Sequence, residues 1–147
     1  MKRHANVVWK GSLTQGSGTL NSQSSAFQET PLTFKARFED ESGRAGTNPE
    51  ELIAAAHAGC FSMQLAHMLA ENGTPAETLE TTSEVEVQPA SGGGFEITGS
   101  ALKLNARVSG IDEAKFREIA EKAKVGCPVS KALKAINISL DITFSQG

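Results

Sequence analysis

Cysteine is scarce in this chain. There are two, Cys60 and Cys127, and neither a CxxC nor an HxxxH pair accompanies them. Zinc sites usually show such pairs. A structural metal is therefore not expected, although His57, Cys60 and His67 share roughly one helix face by spacing and Cys127 could add a fourth ligand. The histidines are expected to pack or hydrogen-bond within the protein. A basic excess is missing too: 14 Lys and Arg stand against 17 Asp and Glu, for a formal net charge of -3. Nucleic acid and anionic membrane surfaces are not expected partners of such a balance. No run of about 18 apolar residues is present, so no helix is expected to span a membrane. The opening Met1-Lys2-Arg3-His4 leads into no apolar stretch, because polar residues soon interrupt Val7, Val8 and Trp9. That pattern is not a signal peptide. These absences make the cytoplasm the expected location. Thiols are normally kept reduced there, so two cysteines are more often reactive, metal-binding or inert than a permanent cross-link.

What is there reads as one domain, residues 1–147, with no internal repeat and no linker, long enough to bury a real core. Ala5, Val7 and Trp9 alternate with polar neighbours, and Leu32, Phe34, Ala36 and Phe38 alternate with Thr33, Lys35, Arg37 and Glu39. Period two predicts strands with one buried and one polar face. The Gly- and Ser-rich stretch from Gly11 to Ser25 reads as turns around a short strand near Thr19 and Leu20. At Asn48-Pro49-Glu50-Glu51 the pattern changes to an N-cap, a first-turn proline and two carboxylates placed to suit a helix dipole. The helix predicted from there runs to about Asn72, where Gly73 and Pro75 stop it. It is apolar on nearly every side, which predicts central burial. Two strands follow, near 82–87 and 97–108, joined by a turn at Ser91-Gly92-Gly93-Gly94, with a bulge near Gly99 to reconcile their parity. Asp112 is the expected cap of a helix that buries Phe116, Ile119, Ala120 and Ala123. Cys127-Pro128 opens a shorter helix to about Ala135, and Ile138, Leu140, Ile142 and Phe144 mark a last strand. Grouped helices and strands predict an α+β fold with a largely antiparallel sheet.

The chemistry of a cysteine depends on its thiolate, and a free thiol is only a few per cent ionised at neutral pH. Cys127 precedes a predicted helix start, where backbone N–H groups favour the anion. Cys60 lies mid-helix and needs a cation from elsewhere in the fold. On composition alone, a lone cysteine on an apolar helix reads as a small buried hydrophobe.

The strings around the two cysteines change that balance. The run Thr47-Asn48-Pro49-Glu50-Glu51-Leu52-Ile53-Ala54-Ala55-Ala56-His57-Ala58-Gly59-Cys60-Phe61-Ser62 closely resembles the core motif of the OsmC family of osmotically inducible hydroperoxide-reducing proteins. Val125-Gly126-Cys127-Pro128-Val129-Ser130-Lys131-Ala132-Leu133 resembles its second motif. Val8-Trp9-Lys10-Gly11 and Arg37-Phe38-Glu39-Asp40 look like the OsmC branch rather than the sister organic hydroperoxide resistance branch. The resemblance covers essentially the whole chain. It implies an intertwined homodimer with a long buried central helix, no metal or organic cofactor, a lipoyl-type dithiol as reductant, and a role in oxidative and osmotic stress defence. It also implies a site of four residues: Cys60 as peroxidatic thiol, Cys127 as resolving thiol, Arg37 as the cation and Glu50 as its orienting carboxylate.

Two of those roles have plainer readings. Arg37 falls on the polar parity of its predicted strand, where most side chains are simply solvated, and Arg44 is the alternative cation. Glu50 in a first helical turn is often only a dipole partner. The mechanism implied is attack of the Cys60 thiolate on the terminal peroxide oxygen, release of an alcohol, condensation of the resulting sulfenic acid with Cys127, and exchange with an external dithiol. Apolar neighbours such as Phe61, Met63 and Phe38 suit an organic hydroperoxide better than hydrogen peroxide. The competing class is a redox-sensing or ligand-binding dimer without turnover. Helix geometry adds one expectation: Glu50 and Cys60, ten residues apart, are separated by about 15 Å on an unbroken helix, so either the helix breaks near its start or Arg37 and Glu50 face Cys60 from a partner chain, and the shared site is the expected arrangement.

Overall fold

The computed structural model describes all 147 residues. The chain forms two compact units, Met1–Leu52 and Ile53–Gly147. The first holds β1 (Ala5–Lys10), β2 (Ser17–Ser22), β3 (Thr30–Thr33), the short helix α1 (Phe34–Phe38) and the start of α2 (Pro49–Glu71). The second holds the rest of α2, β4 (Thr78–Pro89), β5 (Phe95–Arg107), α3 (Glu113–Gly126), α4 (Pro128–Ala132) and β6 (Asn137–Ser145). The α+β class is as expected from the grouping of elements.

In the first unit, β1, β2 and β3 form an antiparallel sheet in that order. Gly18 lies opposite Trp9, and a Cβ there would come within 2.8 Å of the indole, so this crossing needs glycine. The expected buried face of β1 is not found: all six of its residues are exposed, Val7 and Val8 at 49% each. A second departure follows. The run from Leu32 to Phe38 is not one strand. Thr33 ends β3 and caps a helix, its hydroxyl accepting a hydrogen bond from the Ala36 N–H at 3.1 Å. Phe34 and Phe38, four apart, satisfy a helical repeat as well as a period of two, and their ring centroids sit 5.1 Å from each other.

In the second unit, β4 and β5 pair antiparallel through the glycine turn, while β5 and β6 run parallel. A parallel neighbour needs a long crossover, and α3 and α4 supply it. Glu86 pairs with Gly99 and Val87 with Ile97, which leaves Thr98 as the extra residue of a bulge where the sequence parity required one. Asp112 caps α3 through the Lys115 N–H at 2.8 Å, and Phe116, Ile119, Ala120 and Ala123 are buried. The helix after Cys127 is shorter than expected, ending at Ala132.

The long helix runs from Pro49 to Glu71, within a residue of its expected ends. Its burial differs from expectation. His57, Phe61, Leu65 and Leu69, one per turn, enter the core beside Leu102, Leu104, Phe116 and Cys127. The opposite face is uncovered in the single chain: Ala55, Ala56, Gly59, Met63, Ala66 and Ala70 are exposed, Met63 at 76%. By length and a mean hydropathy of 1.3, α2 is apolar enough to cross a membrane, contrary to the sequence expectation. Its charged residues are confined to its ends, so alanine-rich turns dominate the average. A helix packed into a protein core meets the same criterion.

Candidate functional site

Two clusters hold the residues singled out in the sequence, one in each unit. In the first unit, α1 presents Arg37 to the first turn of α2. Its Nη2–H donates to Glu50 Oε1 at 2.7 Å and its Nε–H to Oε2 at 3.2 Å, a bidentate pair. Glu50 is 8% exposed, so its charge is compensated by the guanidinium rather than by bulk water. Arg37 also lies over the Phe38 ring, 4.8 Å from its centroid. Arg37 borders an apolar cavity of about 410 Å³ lined by Trp9, Leu32, Phe34, Phe38 and Pro49. Asn48 caps the helix below it through the Glu51 N–H at 2.8 Å. Arg44 stays in the exposed loop and makes no ion pair.

In the second unit, Cys60 on α2 and Cys127 at the start of α4 are free thiols whose Sγ atoms lie 3.0 Å apart. That separation is a hydrogen-bonded contact, well outside the length of a disulfide. The fold makes the meeting possible because α3 ends at Gly126 and the chain turns directly into Pro128, so Cys127 faces α2 from a helix N-terminus. Cys127 is fully buried and Cys60 half-buried. Cys60 borders an open cavity with Ala55, Gly59, Met63, Gln64 and His67.

The two sulfurs are polarised in opposite directions. Burial pushes the Cys60 thiol up, its contact with Cys127 adds to the rise, and the Val129 N–H only offsets part of it. Burial also works against the Cys127 thiolate. Hydrogen bonds from Cys60, from the Ser130 backbone and hydroxyl and from the Val129 N–H outweigh it, leaving Cys127 below the ordinary thiol range. The expectation that a helix start favours the Cys127 thiolate is met by these donors.

His57, one turn before Cys60, is wholly buried. Its Nδ1 is 2.7 Å from Ser100 Oγ and its Nε2 2.9 Å from Ser130 Oγ. His67 is exposed and lies 3.5 Å from Glu71. Phe61, expected among the neighbours of a substrate, points into the core instead. The serines escaped sequence reasoning. Ser130 stands three residues after Cys127 and His57 three before Cys60, but nothing in either spacing shows that the two meet.

A model of the OsmC family, described as OsmC-like protein, matches residues 39–142. Peroxiredoxin OsmC of Escherichia coli K12 is 47% identical over 133 residues, covering 90% of each chain. Organic hydroperoxide resistance protein OhrB of Bacillus subtilis is 36% identical over 106 residues, 68% of this chain and 72% of its own. The crystal structure of that OhrB superposes with a TM-score of 0.73 at 28% identity, covering 95% of this chain and 98% of the other. With a family model spanning both cysteine segments and a relative nearly half identical along nine-tenths of its length, this chain belongs to the OsmC family.

Proposed function

We propose that the protein is a cysteine-based peroxidase that reduces organic hydroperoxides, and hydrogen peroxide more weakly, with Cys60 as the attacking thiol and Cys127 as the resolving one. The observation that carries the reading is the 3.0 Å approach of two free thiols, one half-buried beside a cavity and one fully buried. The half-buried sulfur is the one a substrate can reach. Relatives named for peroxiredoxin activity and organic hydroperoxide resistance support the same chemistry. The Cys60 thiolate attacks the terminal peroxide oxygen, the O–O bond breaks, an alcohol leaves, and Cys60 becomes a sulfenic acid. Cys127 condenses with it to a disulfide and water leaves. A dithiol, of lipoyl type in this reading, then restores both thiols. The cycle needs no cofactor, and the cytoplasm suits it.

Arg37, held by Glu50, supplies the positive charge that the rise at Cys60 calls for. Glu50 and Cys60 stand ten residues apart on an unbroken α2, about 15 Å along its axis. The reading therefore takes Arg37 and Glu50 from a second copy of the chain, with the exposed alanine, glycine and methionine face of α2 as part of the homodimer contact.

Turnover separates this reading from a redox sensor. With excess hydroperoxide and a lipoyl dithiol, many equivalents of peroxide are consumed per chain; a sensor consumes about one. Cys60→Ser abolishes consumption, and Cys127→Ser permits one oxidation without clean recycling. Substantial dithiol-dependent turnover by Cys60→Ser would falsify the role given to Cys60. For the shared site, Cys60→Ser and Glu50→Ala chains, each inactive alone, are unfolded and refolded together and regain activity. No recovery in verified heterodimers removes the sharing.

A further inference from the structure

The polar groups of the second unit form a continuous chain that the peroxidase cycle above does not use. From Ser130 Oγ, the hydroxyl whose hydrogen bonding helps lower the Cys127 pKa, it runs to His57 Nε2 at 2.9 Å, from His57 Nδ1 to Ser100 Oγ at 2.7 Å, and from Ser100 Oγ to Ser83 Oγ at 3.0 Å. His57 is fully buried, Ser100 is 2% exposed and Ser130 6%, while Ser83 is only half-buried. His57 and Ser100 each have a partner on both sides, so the imidazole is pinned at both nitrogens between α4 and the sheet. No charged side chain hydrogen-bonds to it. The charged side chains that share a cavity lining with the chain are Lys124, Lys131 and Lys134 beside Ser130, and Glu84 and Glu86 beside Ser100.

Such a chain has two complete hydrogen-bond orders. In one, the Cys127 S–H donates to Ser130, Ser130 to Nε2, the Nδ1–H to Ser100 and Ser100 to Ser83. In the other, every donor is reversed and Ser130 donates to a Cys127 thiolate. Passing between them moves one proton out of the interior while His57 exchanges tautomers and never carries a net charge. Neutrality matters because a buried imidazolium with no carboxylate beside it is costly.

We propose that Ser130 and His57 form a proton relay that prepares Cys127 for the resolving step, with His57 acting as a positioning residue through Ser130. The proposal rests on the roles given above to Cys60 and Cys127. In the step, the Cys127 proton passes to Ser130, the Ser130 proton to Nε2, the Nδ1 proton to Ser100, the Ser100 proton to Ser83, and one proton from Ser83 to water. The Cys127 thiolate attacks the sulfur of Cys60 sulfenic acid. The S–S bond forms, the S–O bond breaks, and the departing hydroxide takes up a proton to become water, so no further oxidant or reductant is needed. Burial, which holds the imidazole pKa below its ordinary value, keeps His57 in the neutral form that this exchange requires.

The test separates the two half-steps. After a pulse of organic hydroperoxide, Cys60 sulfenic acid is trapped with a dione probe and disulfide closure is followed by mass, from pH 5 to 9. In Ser130→Ala and His57→Gln, sulfenic acid forms within about twofold of the native rate. Closure slows by about tenfold or more near neutral pH, and its pH midpoint moves up. Ser130→Thr, which keeps the hydroxyl, restores closure and midpoint. Should His57→Gln fail to fold, Ser130→Ala decides alone. Native closure rate and midpoint in a folded Ser130→Ala protein overturn the relay, as does equal slowing of both half-steps. Failure of the underlying reading shows separately, as sulfenic acid that still forms in Cys60→Ser.

Discussion

At the scale of single residues, the proposed site turns on which charges reach which sulfur. Arg37 is held by two hydrogen bonds to a buried carboxylate, whereas Arg44 is exposed and unpaired. Arg37→Ala is therefore expected to raise the pH at which Cys60 alkylates and to slow peroxide reduction near neutral pH, while Arg44→Ala changes both much less. Alkylation rate against pH for the two variants checks this, and matching profiles would take Arg37 out of the site. His57 gives a second expectation. Its folded-state pKa is depressed by burial below the ordinary value of 6.5, so the unfolded chain binds its proton more readily. The contribution of His57 to stability is then fully present above about pH 6.5 and is lost as pH falls through the folded pKa. Denaturant melts at pH 7.5 and 5.5 should show a fall in stability on acidification that is smaller in His57→Gln. An equal fall in both proteins would mean that other groups set the acid sensitivity.

At the scale of elements, α2, the strands after it and α3 were legible from caps and periodicity, because Pro49, Asp112 and the glycine turn each leave a local chemical mark. The parity of β5 even located its bulge. α1 was not legible. Phe34, Ala36 and Phe38 obey a period of two, and the hydrogen bonds from the Ala36 N–H to Thr33 and from the Glu39 N–H to the Lys35 carbonyl decide for a helix. The same ambiguity hid the route by which Arg37 reaches Glu50, a contact across 13 positions that no local pattern encodes. The two cysteine segments marked Cys60 and Cys127, but the serines joining His57 to Cys127 come together only in the tertiary fold. The buried row of α2 can be weighed directly. Leu69 is fully buried in the core cluster, so Leu69→Ala should cost about 2–5 kcal/mol by urea unfolding. A loss under about 1 kcal/mol would mean that the helix packs less tightly there than its burial implies.

At the scale of the whole molecule, the uncovered surfaces of β1 and of the outer face of α2 are those on which composition and single-chain burial disagree. Small side chains at Ala55, Ala56, Gly59, Ala66 and Ala70 allow a second helix close approach, and Met63 is the one large side chain among them. If this face forms the proposed homodimer contact, Met63→Glu should shift sedimentation from dimer to monomer and remove peroxide turnover together. A dimer unaffected by this change would place the contact elsewhere. The sulfur geometry also bears on the reductive half of the cycle. Cys60 and Cys127 already touch, so in the proposed cycle forming or opening their bond requires each sulfur to travel only a fraction of its own diameter. In that cycle a reductant must reach the sulfur that the cavity exposes. That sulfur belongs to Cys60, and the thiolate expelled by its attack belongs to Cys127, the lower-pKa partner of the two. Because a thiol of lower pKa departs faster, the donors proposed to prepare Cys127 as a nucleophile also favour it as the leaving group in the proposed reductive step.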